Sequence, residues 1–201
     1  MRIYLLDDPS TPAAFARFAV VGTWTGGHIC NCCGESTARL VEPIEIEWDD
    51  GTDHIGDFSW GGYQCVVQER VRDFLRSHGF EVGFGDVRVV RPTERAKRPR
   101  VPFPYHGPQL SWIVPAVKLF VDEQRSGIRV LSDCEVCGER RYSFKREGLV
   151  LGSAAWRGEK IFTVAQFSRS GALFITEDAL QTLTKGGFSN LSPRLAGHID
   201  G

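Results

Sequence analysis

The stretch "CNCCG", Cys30 to Gly34, returns as "CEVCG", Cys134 to Gly138, 104 residues further along a chain of 201. Each pentapeptide offers two thiols from one tight turn. The glycine that follows permits the left-handed backbone by which such a turn wraps an ion. Two Cys-x-x-Cys pairs separated by a variable insert match the ligand arithmetic of a tetrathiolate zinc site. We therefore expect Cys30, Cys33, Cys134 and Cys137 to bind one Zn2+. Four thiolates at about 2.3 Å leave no open position, so the ion would be structural, worth on the order of 10 kcal/mol to folding.

The competing uses of these cysteines fit less well. A redox Cys-x-x-Cys normally opens a helix, whose dipole lowers the thiol pKa. Here a glycine follows each pair, and "ERRYSF" after the second reads as a hairpin. Cys32 could replace Cys30 or Cys33, and His28 is a further donor close by. Cys65 lies in an apolar run and reads as core.

Composition allows a sizeable core. Apolar residues make up 42% and charged residues 24%, with a formal net charge of -1, so no global charge points to nucleic acid or a membrane. Asp7 and Asp8 interrupt any secretory signal, and Pro115 and Lys118 break the longest apolar stretch, "LSWIVPAVKLFV". The expected compartment is the cytoplasm, where paired cysteines serve metals more often than disulfides.

Working outward, "RIYLL" reads as a strand followed by a Pro/Ala-rich turn. "GGYQCVVQERVRDFLRSHGF" reads as a strand, Gln64 to Gln68, passing into a helix from Glu69 that Gly79 stops. "GALFITEDALQTLTKGGF" repeats that plan, with Thr176 as N-cap and Glu177 and Asp178 in the first turn. A shift of 108 residues superimposes the two units, close to the 104 that separates the pentapeptides. The expected fold is thus α+β: a single compact domain over residues 1–201, made of two pseudo-repeated strand–helix halves, about 1–85 and 109–201. The shared four-cysteine zinc site and a basic, Pro-rich crossover at 86–108 would join them.

These motifs, the length and the "LFITEDALQTLTKGGF" ending resemble the double-CxxCG motif proteins of myxobacteria, a paralogous family that includes Sit-type immunity proteins. The resemblance implies a cytoplasmic, non-enzymatic protein of bacterial competition. Such a protein binds a cognate toxin domain and occludes its active surface. It carries the cysteine role onto Cys30, Cys33, Cys134 and Cys137 and implies no toxin-contacting residues.

Two charged stretches are candidate contacts. "EPIEIEWDDGTDHIGDF" holds seven carboxylates and no Lys or Arg. Alternation along "IEIEW" sends Glu45 and Glu47 to one face, so Glu45, Glu47, Asp49 and Asp50 form an acidic candidate surface for a toxin, possible partners including a basic nuclease. The crossover carries Arg88, Arg91, Arg95, Lys97, Arg98 and Arg100, with Phe103 and Tyr105 near. That is the basis for an alternative, a zinc-stabilised protein binding nucleic acid through residues 88–105. No P-loop, Gly-x-Ser-x-Gly or His-Glu-x-x-His motif occurs. Glu69 and Glu177, matched by the shift, read as first-turn helix residues rather than a catalytic pair.

Overall fold

The computed structural model describes residues 1–7, 14–36 and 38–200; most of the Pro/Ala-rich turn expected after the first strand lies outside them. In chain order the strands are β1 Arg2–Asp7, β2 Arg17–Val20, β3 Trp24–Thr25, β4 Arg39–Leu40, β5 Ile44–Asp50, β6 Phe58–Gly61, β7 Gln64–Gln68 and β8 Val82–Val89. There follow β9 Leu110–Pro115, β10 Lys118–Leu119, β11 Val130–Asp133, β12 Arg140–Tyr142, β13 Leu149–Leu151, β14 Ile161–Val164, β15 Leu173–Thr176 and β16 Ser192–Ile199. The helices are α1 Glu69–Ser77, α2 Glu123–Ser126 and α3 Glu177–Lys185.

The α+β expectation is corrected by this inventory. The protein is mostly β, 39% strand against 15% helix, with two curled sheets. Helical period was legible only in α1 and α3. The remaining strands are short or carry Gly, Pro and charge, as "VGFGDVRV" and "SPRLAGHI" do, so their alternation is faint in sequence. The irregular crossover also begins later than expected, because β8 continues to Val89.

One six-stranded sheet has the order β10-β14-β15-β1-β16-β13, the other β2-β5-β8-β9-β7-β6. In the first, β1 lies antiparallel between β15 and β16, and β16 pairs in parallel with β13. In the second, β9 lies antiparallel between β7 and β8, and β8 pairs in parallel with β5. Five strands of each correspond in pairing sense, β14-β15-β1-β16-β13 with β6-β7-β9-β8-β5, leaving β10 and β2 as extra edge strands at opposite ends, and the match is crossed. The N-terminal β1 completes the sheet of the C-terminal segment, and β9 completes the sheet of the N-terminal one. Each sheet therefore takes one strand from the other side of the crossover.

Alternation along the central strands divides the interior into layers. Cys65 and Val67 of β7 face a shared core with Leu6, Phe58, Trp60, Ile113, Leu173 and Ile175, covered by Val71 and Leu75 of α1 and Ala179 and Leu183 of α3. Val66 faces the other way, into the hollow of the second sheet with Phe18, Ile44, Ile46, Trp48 and Leu110. That sheet curls until its outer strands meet: a Cβ on Gly61 of β6 would come 2.8 Å from the Phe18 carbonyl oxygen of β2. Ile3, Leu5, Leu149, Leu151, Phe162 and Phe174 fill the corresponding face of the first sheet. Each such side chain contributes about 1.5–3 kcal/mol by leaving water.

A polar seam ties the second sheet to the turn after α3. The Trp60 indole donates to the Asn190 carbonyl at 2.9 Å, and the Asn190 amide donates to the Phe58 carbonyl at 2.7 Å. Asp57, 5% exposed, accepts from the Ser189 backbone N–H and hydroxyl, each at 2.7 Å, and is paired with Arg70. Burial alone would raise its carboxyl, but Arg70 and Ser189 hold it at about 2.

Candidate metal centre

Each Cys-x-x-Cys sits at the tip of a two-stranded hairpin, β3–β4 for the first pair and β11–β12 for the second. The two tips have the same local bonding. The Gly34 N–H donates to the Cys30 carbonyl at 2.8 Å, and the Gly138 N–H to the Cys134 carbonyl at 2.7 Å. The Cys30 N–H donates to the Glu35 carbonyl and the Cys134 N–H to the Glu139 carbonyl, both at 2.9 Å. Gly34 has φ 71° and Gly138 φ 70°, the left-handed region that the pentapeptides require of this position.

These turns converge. The Sγ atoms of Cys30 and Cys134 are 3.8 Å apart, those of Cys33 and Cys137 are 3.6 Å apart, and all four lie within 4.8 Å of one another. Four sulfurs about 2.3 Å from one centre at tetrahedral angles are about 3.8 Å apart, so a single ion fits. A disulfide, at about 2.05 Å, does not, and all six cysteines are free.

The electrostatics favour thiolate at the first cysteine of each pair. Backbone N–H groups of Cys33 and Cys32 lower the Cys30 thiol, and those of Cys137 and Val136 hold Cys134 at about 6. Desolvation and then the Cys134 sulfur raise Cys33. Cys137, despite the N–H of Glu139, is pushed up to about 12 by desolvation and the neighbouring sulfurs. A cluster that cannot carry four negative charges unaided is the donor set a divalent cation completes.

The other candidate donors are not members of the cluster. Cys32 is exposed and raised chiefly by its hydrogen bond to Cys134; it is not one of the four clustered sulfurs, and neither is His28. Cys65 is buried in the shared core, where desolvation drives its thiol upward.

The two charged stretches meet each other. Glu45 of β5 pairs with Arg88 of β8 at 3.2 Å. Glu47 is 2% exposed and accepts from the Thr93 N–H at 2.5 Å and its hydroxyl at 3.1 Å. Asp49 accepts the Lys97 N–H at 2.9 Å, with the Lys97 ammonium at 3.4 Å, while Asp50 accepts the adjacent Gly51 N–H. Arg91 stacks over Phe103, 5.2 Å from its centroid. The Tyr105 hydroxyl donates to the Pro108 carbonyl, and burial raises that phenol to about 12. Residues 90–105 thus run along the acidic strand and supply hydrogen bonds to Glu47 and one cation, Lys97, to Asp49, a pairing that charge pattern alone did not reveal. Glu69 and Glu177 lie on separate helices, paired with Arg72 and Arg2 respectively.

No protein-family profile matches the chain, and a search of curated proteins returns no match. No helix among the described residues is long and apolar enough to cross a membrane.

Proposed function

We propose that the protein is a zinc-clamped, non-catalytic binding protein whose role is to hold and neutralise a cognate protein toxin in the cytoplasm. One observation carries the reading: four sulfurs from two hairpins 104 residues apart meet at the spacing of a closed tetrahedral site. A closed site offers no position to substrate, so its work is mechanical, fixing the two hairpins against each other. Tetrahedral four-sulfur geometry points to zinc or iron, and Zn2+ adds no redox chemistry. The toxin-neutralising role rests on the doubled pentapeptides and their resemblance to the Sit-type family.

Within this reading the acidic contact narrows to Glu45, Asp49 and Asp50, which keep part of their surface in solvent, since Glu47 is withdrawn into the fold. The test is co-expression and co-purification with the toxin domain encoded beside its gene. A stoichiometric complex that abolishes toxicity is expected. A lethal toxin with no complex at moderate salt would overturn the pairing. The nucleic-acid alternative uses the basic segment 88–105, where Arg95, Arg98 and Arg100 are exposed, and requires binding to mixed RNA or DNA that falls steeply with salt.

A further inference from the structure

A cavity of about 550 Å³ opens where the first hairpin and the two large sheets meet. Trp24 of β3 and Glu42, just past β4, form one wall. Gln64 of β7 and Trp112 of β9 form the second, and Lys118 of β10 and Thr163 of β14 the third. The volume is that of a site for a ligand of drug or cofactor size.

Three of the polar side chains lining the cavity are unspent. Thr163 is spent, its hydroxyl donating to the Val117 carbonyl. The side chains of Glu42, Gln64 and Lys118 have no partner among the described residues, although most of the protein's other acids are ion-paired or hydrogen-bonded. The Trp24 indole is 57% exposed. Trp112 is fixed from behind: a Cβ on Gly85 would fall 1.7 Å from its Nε1, so the ring is seated flat against β8.

We propose that this cavity binds a guanine nucleotide. Indoles stack on a flat heterocycle irrespective of sequence. An ionised carboxylate only accepts hydrogen bonds, so Glu42 calls for adjacent donors. Guanine is the common base whose pairing edge presents two adjacent donors, N1–H and the N2 amino group. Gln64 can read a further edge atom, and Lys118 supplies the cation that a 5′-phosphate needs. The site shares the first hairpin with the metal centre but none of its four cysteines and none of the acidic-strand candidates, and its test needs no toxin, so it stands or falls independently of the proposed function.

The experiment is calorimetric titration of the intact protein with GMP, AMP, CMP and UMP, then with guanosine and a 5′-phosphorylated oligonucleotide beginning with G. GMP is expected to bind saturably at one site, with the other three at least tenfold weaker. Glu42→Gln should erase the preference for GMP over AMP. Lys118→Met should weaken GMP about tenfold and leave guanosine unchanged. Metal content and melting temperature of both variants serve as the check on folding. GMP binding as tight as the oligonucleotide identifies free nucleotide as the ligand, whereas a tighter oligonucleotide identifies a strand end; both support the site. No saturable GMP binding at millimolar concentration, equal affinity for all four nucleotides, or indifference to both variants would overturn it.

Discussion

The carboxylate of Glu47 accepts both the backbone N–H and the hydroxyl of Thr93, 46 residues downstream, and in doing so pins the crossover to β5. Glu47, itself 2% exposed, is the acceptor for both donors of the exposed Thr93, and Glu47→Ala removes it. The substitution should cost about 1–3 kcal/mol in urea unfolding. Glu45→Ala breaks only the half-exposed pair with Arg88 and should cost less than about 1 kcal/mol. Equal losses for the two would mean that Thr93 does not anchor the crossover.

Asp57 makes stability depend on acid. Its folded pKa of about 2 lies below the ordinary 3.8, so its contribution is present above pH 4 and is lost as pH falls toward 2. The difference corresponds to about 2 kcal/mol. Asp57→Asn should be less stable than wild type at pH 7, and the gap should close between pH 4 and 2 in denaturant titrations. A gap that stays constant across that range would show that the carboxylate charge is not what Arg70 and Ser189 hold.

Gly197 marks a very close approach of two strand backbones. A Cβ there would come 1.9 Å from the Leu149 carbonyl oxygen of the parallel partner β13. Gly197→Ala must push β13 and β16 apart, and about 2–4 kcal/mol should be lost in thermal unfolding. Gly152→Ala, with nothing within 4 Å of its Cβ, is the matched control and should melt near wild type.

How far the sequence foretold these features differs from element to element. The strand–helix joins at Gln68/Glu69 and Thr176/Glu177 fall where periodicity places them, and Gly79 takes the left-handed φ expected of it. Local signals suffice there, because helix period, first-turn acids and a stopping glycine act within a few residues. The cysteine cluster was legible for the same reason: spacing and the following glycine encode each knuckle locally. The crossed exchange of β1 and β9 was not legible, since which sheet receives a strand depends on contacts far along the chain, with β15 and β16 for β1 and with β7 and β8 for β9. Nor was the zipping of β5 against residues 90–105, as each stretch by itself reads as a solvated charge run. The cavity at Trp24 and Trp112 left no sequence signal, because its walls come from six separate stretches of chain.

The fifth thiol separates a built site from a loose collection of cysteines. Cys32→Ser should retain metal and stability, whereas Cys134→Ser should lose both, because only the latter removes a member of the four-sulfur cluster. Zinc content and melting temperature of the two variants, measured side by side, decide the matter. Metal loss from Cys32→Ser would reassign the ligands.

The most direct measurement is the metal content of reduced, untagged protein purified without added metal, followed by unfolding with and without a chelator. One zinc per chain is expected, with a marked fall in melting temperature when the ion is withdrawn. Protein that is folded and metal-free as purified, and whose stability a chelator leaves unchanged, would contradict it.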